Sequence, residues 1–291
     1  MSYSTQTAKN YTLRIACPAR AGLVAAVTTH LANEGCYLNE LTQYDDQETR
    51  RFFMRCVFEI SAGERRIESI MDSRFQSLAR EFSMNWQVRS GDSPQRVLLM
   101  VSRLDHCLRD LLYRWEQKEL SMDVVGIVSN HEALRPIAER ANIPYHYLPV
   151  DAQSKAAQEQ VLLGLIQEQR ADLVVLARYM QVLSDELSAK LSGRCINIHH
   201  SFLPSFKGGS PYAQAHRRGV KLIGATAHYV TADLDEGPII EQDVRRVDHR
   251  YSVEEMQALG RDIEARVLAH AVRLHLEGRV FIDGSKTVVF S

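Results

Sequence analysis

The chain has 291 residues and a nearly balanced charge, with 35 lysine and arginine residues against 36 aspartate and glutamate residues. This balance offers no basic surplus for a nucleic acid or a membrane surface, so we expect a small-molecule role. The five cysteines form no Cys-x-x-Cys pair, the first ten residues contain no apolar signal core, and no apolar run approaches the roughly 20 residues that cross a bilayer. These features predict a cytoplasmic protein without disulfides.

The first ninety residues alternate between strand-like and helix-like patterns. Polar and apolar residues alternate at 11–16, as in a half-buried strand, and helical spacing of apolar residues begins at Leu23 and stops near Gly35. The further elements predicted before residue 90 are two strands, one helix and one short strand, at 37–44, 51–60, 64–82 and 85–88. The predicted order is βαββαβ, a ferredoxin-like arrangement.

This order resembles that of an ACT domain, a small amino-acid-sensing module, which we assign to residues 10–89. In ACT domains the ligand usually lies near the first loop and the start of the first helix. The resemblance therefore implies regulatory candidates here, at Arg20, Gly22, Leu23 and Asn39. The chain departs from the pattern at Ala19, where an acidic residue is common. The alternative is an ACT fold used only for subunit assembly, and both readings predict a homo-oligomer.

Residues 90–95 are small, polar and turn-forming, and we interpret them as a linker. From residue 96 to 291, apolar strands alternate with amphipathic helices, which predicts a doubly wound, mostly parallel Rossmann-like α/β domain. Strands are expected at 97–101, 123–128, 143–150, 172–177 and 223–230. Helices are expected at 132–141, at 154–169 and after the first of these strands, where Leu104 should lie on the buried side. Ser252 and Glu255 form a capping box that starts a long helix ended by Gly278, and 280–290 is expected to be a hairpin.

The stretch from Cys195 to Gly208 begins as a strand and ends as a turn. Because side chains alternate along a strand, Asn197 and His199 should share one face, whereas His200 should point to the other. The carboxyl end of a strand in an open α/β sheet borders the ligand crevice. An amide and an imidazole placed there predict chemistry.

Three separated segments carry a family resemblance. Asn197-Ile198-His199 followed by 201–206, the segment 176–180, and the run from 228 to 240 together resemble folate-dependent formyltransferases and their hydrolytic relatives. In that family the matching amide and imidazole bind the formyl carbonyl, and the matching acid is Asp235. A cis peptide bond at Leu203–Pro204 is a further possibility that the resemblance raises. Substrate contacts are implied at Arg178, Met180, Gln181, Val182, His228 and Gly237.

Hydrolysis of a formamide-like bond needs an activated water, a stabilised oxyanion and a proton for the leaving nitrogen. Asn197 can donate to the oxyanion at any pH because its amide does not titrate. His199 can donate to the same oxygen or relay a proton, and Asp235 can orient His199 or act as the base. Whether His199 or Asp235 takes the proton from water stays open.

The loop at 102–106 contains no glycine, so it matches neither a dinucleotide fingerprint nor the phosphate-cradling loop of the transferases. The hydrolytic branch of the family has also lost that loop, so the resemblance favours water as the acceptor over a phosphorylated amine. From about residue 10 the chain resembles the formyltetrahydrofolate deformylases, which implies hydrolysis of 10-formyltetrahydrofolate to formate and tetrahydrofolate. Such a reaction would supply formate for purine synthesis and balance the folate pools, with glycine or methionine as a possible effector.

Two other functions remain open. One is formyl transfer to an amine, since Arg103 could still hold an anionic acceptor. The other is a sensor that binds folate and an amino acid without turnover. Folate would be the substrate, so no cofactor is expected. No metal is expected either, because His199 and His200 lack a helical His-x-x-x-His pair or a cysteine partner.

Overall fold

The computed structural model describes residues 9–60, 66–151, 153–201 and 211–291. The chain divides into two compact units, the first comprising residues up to Pro94 together with Phe290, and the second the rest of the chain from Gln95. Of the residues predicted as a linker, Ser90 ends the fourth strand and Gln95 begins the fifth. The predicted cis bond at Leu203–Pro204 lies outside the described residues.

The first unit is a four-stranded antiparallel sheet with helices, in the predicted βαββαβ order. Its strands are ordered β2-β3-β1-β4. The elements are β1 Lys9–Pro18, α1 Leu23–Asn33, β2 Tyr37–Asp46, β3 Arg51–Ile60, α2 Ile67–Ile70, α3 Ser73–Glu81 and β4 Asn85–Ser90. This small antiparallel sheet is consistent with the predicted ferredoxin-like fold.

The helix expected at 64–82 is divided in two, and its first two residues lie outside the described part of the chain. Asp72 separates α2 from α3, and its carboxylate accepts hydrogen bonds from the backbone N–H groups of Arg74 and Phe75. An aspartate in this position satisfies donors that the first helical turn leaves unpaired. The apolar spacing concealed the break because Ile70 and Phe75 are buried on both sides of it.

The core of the first unit lies between its sheet and helices. Leu13 and Ile15 of β1 pack in one cluster with Val27 and Leu31 of α1 and Phe75 of α3, and all five side chains are almost fully buried. Each such side chain stabilises the fold by about 1.5–3 kcal/mol through burial of apolar surface. The apolar residues that form the strand alternation and the helical spacing in the sequence are therefore the ones buried in this core.

The second unit is a seven-stranded, mostly parallel sheet. The strand order is β11-β10-β9-β8-β5-β6-β7. The strands from β9 to β7 pair in parallel, and β10 pairs antiparallel with both β9 and β11. The elements are β5 Gln95–Val101, α4 His106–Glu116, β6 Met122–Ser129, α5 Arg135–Arg140, β7 Tyr145–Tyr147, α6 Lys155–Glu168, β8 Leu173–Leu176, α7 Asp185–Lys190, β9 Cys195–His199, α8 Pro211–Arg218, β10 Leu222–Tyr229, β11 Ile239–Arg246, α9 Val253–Leu276, β12 Val280–Asp283 and β13 Lys286–Val289. The predicted doubly wound α/β fold is confirmed.

The sheet has its topological switch point at β5. This strand pairs with β6 on one side and with β8 on the other, so the chain builds the sheet outward from β5 in two directions. In open α/β sheets the crevice beyond the carboxyl ends of the strands at such a point is the usual ligand site. The loops after β5 and β8 border that crevice, and the end of β9 lies next to β8.

Several elements differ from the predictions made for this unit. Helix α7 and strand β11 were not expected: α7 has six residues, too few to show periodicity, and β11 is an edge strand with a charged sequence. The helix expected at 132–141 is confined to α5, which begins with Pro136 in its first turn. Leu104 precedes α4 and is 43% exposed, so its predicted burial was wrong.

The end of the chain follows its sequence signals. Ser252 and Glu255 form the predicted capping box at the start of α9, and Gly278 takes the left-handed φ of 67° just beyond its end. Strands β12 and β13 form the predicted hairpin around Gly284, whose φ is 62°. Across the described residues, no helix has both the length and the apolar sequence needed to span a lipid bilayer.

Candidate active site

The end of β9 supplies two polar side chains from one face of the strand. Ile196 and Ile198 belong to the core beneath the sheet, whereas Asn197 and His199 are half-buried on the opposite face. The neighbouring strand β10 places His228 directly across from Asn197 in the antiparallel register. Alternation along β9 and its pairing with β10 thus bring an amide and two imidazoles together.

Asp235 reaches the same place from the loop that follows β10. Its Oδ2 lies 3.1 Å from Nδ1 of His199, and its Oδ1 lies 3.5 Å from Nδ2 of Asn197. The three predicted catalytic side chains therefore converge on one point, although they come from a strand and a separate loop. Burial alone would raise the pKa of Asp235, but the imidazoles of His199 and His228 beside it lower it by more. The net pKa lies below its usual value, so the carboxylate is ionised at neutral pH.

The loop that carries Asp235 is tightly constrained. Asp235 has a left-handed φ of 57°, which is uncommon for a residue other than glycine. Gly237 is buried two residues later, where a Cβ would lie 1.7 Å from the carbonyl oxygen of Tyr229. Only glycine permits this close approach. Gly237 does not line the cavity described below, and its close approach to Tyr229 gives it a packing role; the predicted substrate contact stays a prediction.

His228 links the backbone to Asn197. Its Nδ1 lies 2.9 Å from the carbonyl oxygen of Tyr229, which can only accept, so Nδ1 carries the proton. The other ring nitrogen, Nε2, then accepts from Nδ2 of Asn197 at 3.2 Å and lies 3.7 Å from Oδ1 of Asp235. This pair of contacts fixes which way the Asn197 amide points.

A cavity of about 220 Å³ lies over these groups. Its lining includes the three predicted catalytic residues and five of the six predicted substrate contacts, namely Arg178, Met180, Gln181, Val182 and His228. Met180 and Val182 are 57% and 52% exposed, so neither serves as core packing. Leu234 also lines the cavity and is 62% exposed, although its position among acidic loop residues gave no sequence signal of this role.

Hydrogen bonds fix the position of the segment that forms one wall of this cavity. The backbone N–H of Met180 donates to Oγ of Ser102 at 3.0 Å, and Gln158 of α6 donates to the hydroxyl of Tyr179 at 3.0 Å. The backbone N–H of Ser184 donates to Glu159 of α6 at 2.8 Å. The cavity wall is therefore anchored to both the loop after β5 and helix α6.

The predicted orientation of His200 needs correction, and the predicted substrate contact Arg178 has a second partner. His200 lies just beyond the end of β9, so strand alternation no longer applies to it, and its ring centroid is 4.9 Å from that of His199. Burial, helped by Arg178 and His199, lowers the pKa of His200 to about 4. Arg178 lines the cavity, but its Nε lies 3.3 Å from the buried Glu264, so the guanidinium pairs with a carboxylate.

A second, larger groove of about 410 Å³ lies between α4, β11 and α9. Its charged residues pair with one another, as Arg266 does with Asp243 and His270 with Glu241. None of the converging groups at the end of β9 lines this groove. We therefore place the chemistry in the smaller cavity.

Within the described ranges, one group of histidine, cysteine and acidic residues is compact enough to hold a metal ion: His106, Cys107 and Glu264. The guanidinium of Arg178 lies beside the same Glu264 carboxylate. A fixed positive charge at that distance opposes the binding of a cation. The donor set therefore does not suit a metal.

The predicted regulatory residues lie in the first unit. The Arg20 guanidinium donates to the carbonyl oxygen of Glu81 at 2.7 Å, and the Asn39 amide donates to Oδ1 of Asn10 at 3.2 Å. Gly22 precedes α1 with a φ of 87°. Leu23 is 2% exposed and packs in the core, so its side chain is not placed to contact a ligand.

Comparison with known proteins agrees with this geometry. The sequence profile of the family described as formyl transferase matches residues 95–272. A formyltetrahydrofolate deformylase from Corynebacterium sp. (strain P-1) is 48% identical over 96% of this chain and 97% of its own length. The chain belongs to the formyltetrahydrofolate deformylases. A deformylase from Bacillus subtilis (strain 168) is 44% identical over 100% of this chain and 99% of its own.

Solved structures of deformylases match both units of the chain. The crystal structure of formyltetrahydrofolate deformylase from Burkholderia mallei is 52% identical, has a TM-score of 0.93 and covers 97% of this chain and 100% of its own. The crystal structure of glycinamide ribonucleotide transformylase 1 from Symbiobacterium toebii is 29% identical, with a TM-score of 0.64 over 69% of this chain and 97% of its own. Near-full coverage thus favours the deformylases over the transformylase.

Proposed function

We propose that this chain hydrolyses 10-formyltetrahydrofolate to formate and tetrahydrofolate. The observation that carries the proposal is the convergence of Asn197, His199 and Asp235 at one end of a cavity. Its support also includes membership of the deformylase family over nearly the whole chain. A donor to an oxyanion, an imidazole and a carboxylate are together the groups that hydrolysis of a formamide-like bond needs.

Asn197 is the proposed donor to the formyl oxygen. One amide hydrogen is directed to Nε2 of His228 at 3.2 Å, and the second makes a long contact of 3.5 Å with Asp235. A carbonyl oxygen can replace that long contact when substrate binds. Because His228 holds the amide in place, little reorganisation is needed as negative charge develops on the oxygen.

His199 and Asp235 are the proposed pair that activates water. Asp235 has a lowered pKa and is therefore a weak base by itself, but its negative charge stabilises a protonated His199. The water oxygen bonds to the formyl carbon as His199 accepts its proton. The C–N10 bond then breaks, and N10 takes up that proton, which leaves formate and tetrahydrofolate.

The folate would bind through the apolar part of the cavity wall. Met180, Val182 and Leu234 present exposed apolar side chains there, and these can pack against a planar ring. The segment that carries Met180 and Val182 is anchored by hydrogen bonds to Ser102 and Glu159. An anchored wall of this kind favours a preformed site, because less ordering is required on binding.

Formate release without an acceptor tests the proposal. Purified protein is incubated with 10-formyltetrahydrofolate alone, and formate is measured over time. We expect continuous release, and a large loss in the Asn197→Ala variant. A formyltransferase would release almost no formate until an amine is added, and a folate sensor would release none with or without an amine.

We further propose that the first unit is an ACT domain that senses an amino acid, and that the chain acts as a cytoplasmic homo-oligomer that supplies formate for purine synthesis. The βαββαβ order and the Gly22 turn before α1 support the ACT assignment. Glycine and methionine are the effectors to test. Formate release measured with and without each should change with one of them, and Arg20→Ala should weaken that response without changing the basal rate.

A further inference from the structure

A cluster of polar side chains fills the crevice at the switch point of the sheet. Its centre is Glu264 of α9, which is 2% exposed. The Glu264 carboxylate lies 2.7 Å from Nε2 of His106, accepts from the hydroxyl of Tyr212 at 3.1 Å and lies 3.3 Å from Nε of Arg178. We call these four residues the Glu264 cluster. They come from α4, α8, α9 and the loop after β8.

The Glu264 cluster is closely packed. Gly260 lies one turn before Glu264, and a Cβ there would be 1.9 Å from the hydroxyl of Tyr212, so the tyrosine rests directly on the helix backbone. Burial alone would raise the pKa of Glu264, but His106 and Arg178 lower it by more. The net pKa is lowered, so Glu264 is a carboxylate. Burial also raises the pKa of Tyr212, which keeps it a hydroxyl donor. The buried charges thus compensate one another.

Arg178 joins this cluster to the candidate active site. It lines the cavity together with His199 and His200, whereas His106, Tyr212 and Glu264 do not line it. The Arg178 side chain is therefore a wall between the cavity and the buried carboxylate. At the place where an open α/β sheet usually offers room for a ligand, this chain has a compensated ion cluster.

We propose that the Glu264 cluster holds Arg178 in place as a wall of the cavity, and that this wall leaves room beside the formyl carbon for water but not for an amine. The proposal rests on the hydrolytic function proposed above. Moving Arg178 aside would take the guanidinium charge away from the buried Glu264, which would keep only its contacts with His106 and Tyr212, and this costs more than moving an apolar side chain. An incoming amine therefore meets a wall that resists displacement, and a water molecule needs less room than an amine does.

The proposal predicts a new reaction when the cluster is made smaller. In such a variant an amine nitrogen bonds to the formyl carbon, the C–N10 bond breaks, and N10 takes up the proton that the amine loses. Methoxyamine is a suitable probe because it is small and unprotonated at neutral pH. The products are then N-formylmethoxyamine and tetrahydrofolate, in place of formate and tetrahydrofolate.

The test is the ratio of N-formylmethoxyamine to formate, measured by mass spectrometry after subtraction of a reaction without enzyme. We expect native protein to give almost only formate, and His106→Ala to raise the ratio at least about 10-fold. Leu111→Ala is the matched control, because it opens a cavity from the same helix on its fully buried core side. It should leave the ratio unchanged.

The ratio counts only molecules that turn over, so a smaller folded fraction does not alter it. If His106→Ala does not fold, Tyr212→Ala enlarges the same space from α8 and gives the same expected rise. An unchanged ratio in a variant that still releases formate would overturn the proposed role of the cluster. Absence of formate from native protein without any amine would instead overturn the hydrolytic function.

Discussion

Nδ1 of His199 lies 3.1 Å from Oδ2 of Asp235, so an imidazole at the end of β9 pairs with a carboxylate from the loop after β10. The backbone of Asp235 takes a left-handed φ of 57° to reach this position. A non-glycine residue held in that conformation is uncommon, and such strain tends to occur at functional sites. The pair is the part of the site on which the proposed activation of water depends.

Replacement of Asp235 by Asn should reduce kcat by about 10²–10⁴-fold, because the imidazole loses the charge that stabilises its protonated form. The neighbouring Glu236 is exposed and does not line the cavity, so Glu236→Gln is the matched control and should retain native activity. Steady-state formate release measures both. Equal activities of the two variants would contradict the role of Asp235.

Substitution of Gly237 by Ala should destabilise the protein by about 3 kcal/mol and also lower activity. The added Cβ would lie 1.7 Å from the carbonyl oxygen of Tyr229 and 3.1 Å from Nδ1 of His228, so both must move. Gly164→Ala in α6 meets nothing within 4 Å and should stabilise by about 0.5–1 kcal/mol. Urea unfolding measures both changes in the free energy of unfolding. An unchanged free energy of unfolding in Gly237→Ala would contradict the close packing of Gly237 against Tyr229.

His200 should make the protein less stable in mild acid. Burial lowers its pKa to about 4 in the folded state; the unfolded pKa of about 6.5 is higher, so the unfolded chain binds more protons between these values. Stability is therefore lost as pH falls from 6.5 towards 4, by about 2 kcal/mol at pH 5. Asp235 and Glu264 have lowered pKa values, so their contributions are lost only at more acid pH.

The His200→Gln variant isolates this contribution. Urea unfolding of both proteins at pH 7, 6 and 5 should show a shallower loss of stability in the variant. Parallel curves for the two proteins would mean that His200 is not the group responsible. The groups that act on His200 are Arg178 and His199, which oppose its protonation, and Glu264 and Asp235, which favour it.

Leu234 should contribute to folate binding and not to the chemical step. Replacement by Ala removes apolar surface from the cavity lining, so we expect KM for 10-formyltetrahydrofolate to rise about 5–20-fold at nearly constant kcat. Leu222→Ala is the control, since Leu222 is similarly exposed, at 52%, but lies outside the cavity. A change confined to kcat would show that Leu234 acts in another way.

Local sequence patterns predicted the parts of the site that lie on regular elements. The alternation along β9 placed Asn197 and His199 on one face, and the structure has them there. The same rule failed for His200, because the strand ends one residue earlier. Asp235 came only from the family resemblance, since its loop offers three acidic residues and no periodicity that separates them.

The Glu264 cluster was not predicted, because the apolar periodicity of α9 does not mark a carboxylate that lies on the same face. Ile263, Val267 and Leu268 are buried, and Glu264 shares their side of the helix. A carboxylate on the buried face of an amphipathic helix is itself a signal, because buried charges require partners. Its partners His106 and Arg178 come from distant parts of the chain, and no local pattern could identify them.

Isotope labelling shows whether the oxygen that enters formate comes from water. Enzyme and 10-formyltetrahydrofolate are incubated in H₂¹⁸O without any amine, and the formate is analysed by mass spectrometry. If Asn197, His199 and Asp235 direct water onto the formyl carbon, each formate released carries one ¹⁸O atom. Unlabelled formate, or no formate until an amine is supplied, would contradict hydrolysis at these three residues.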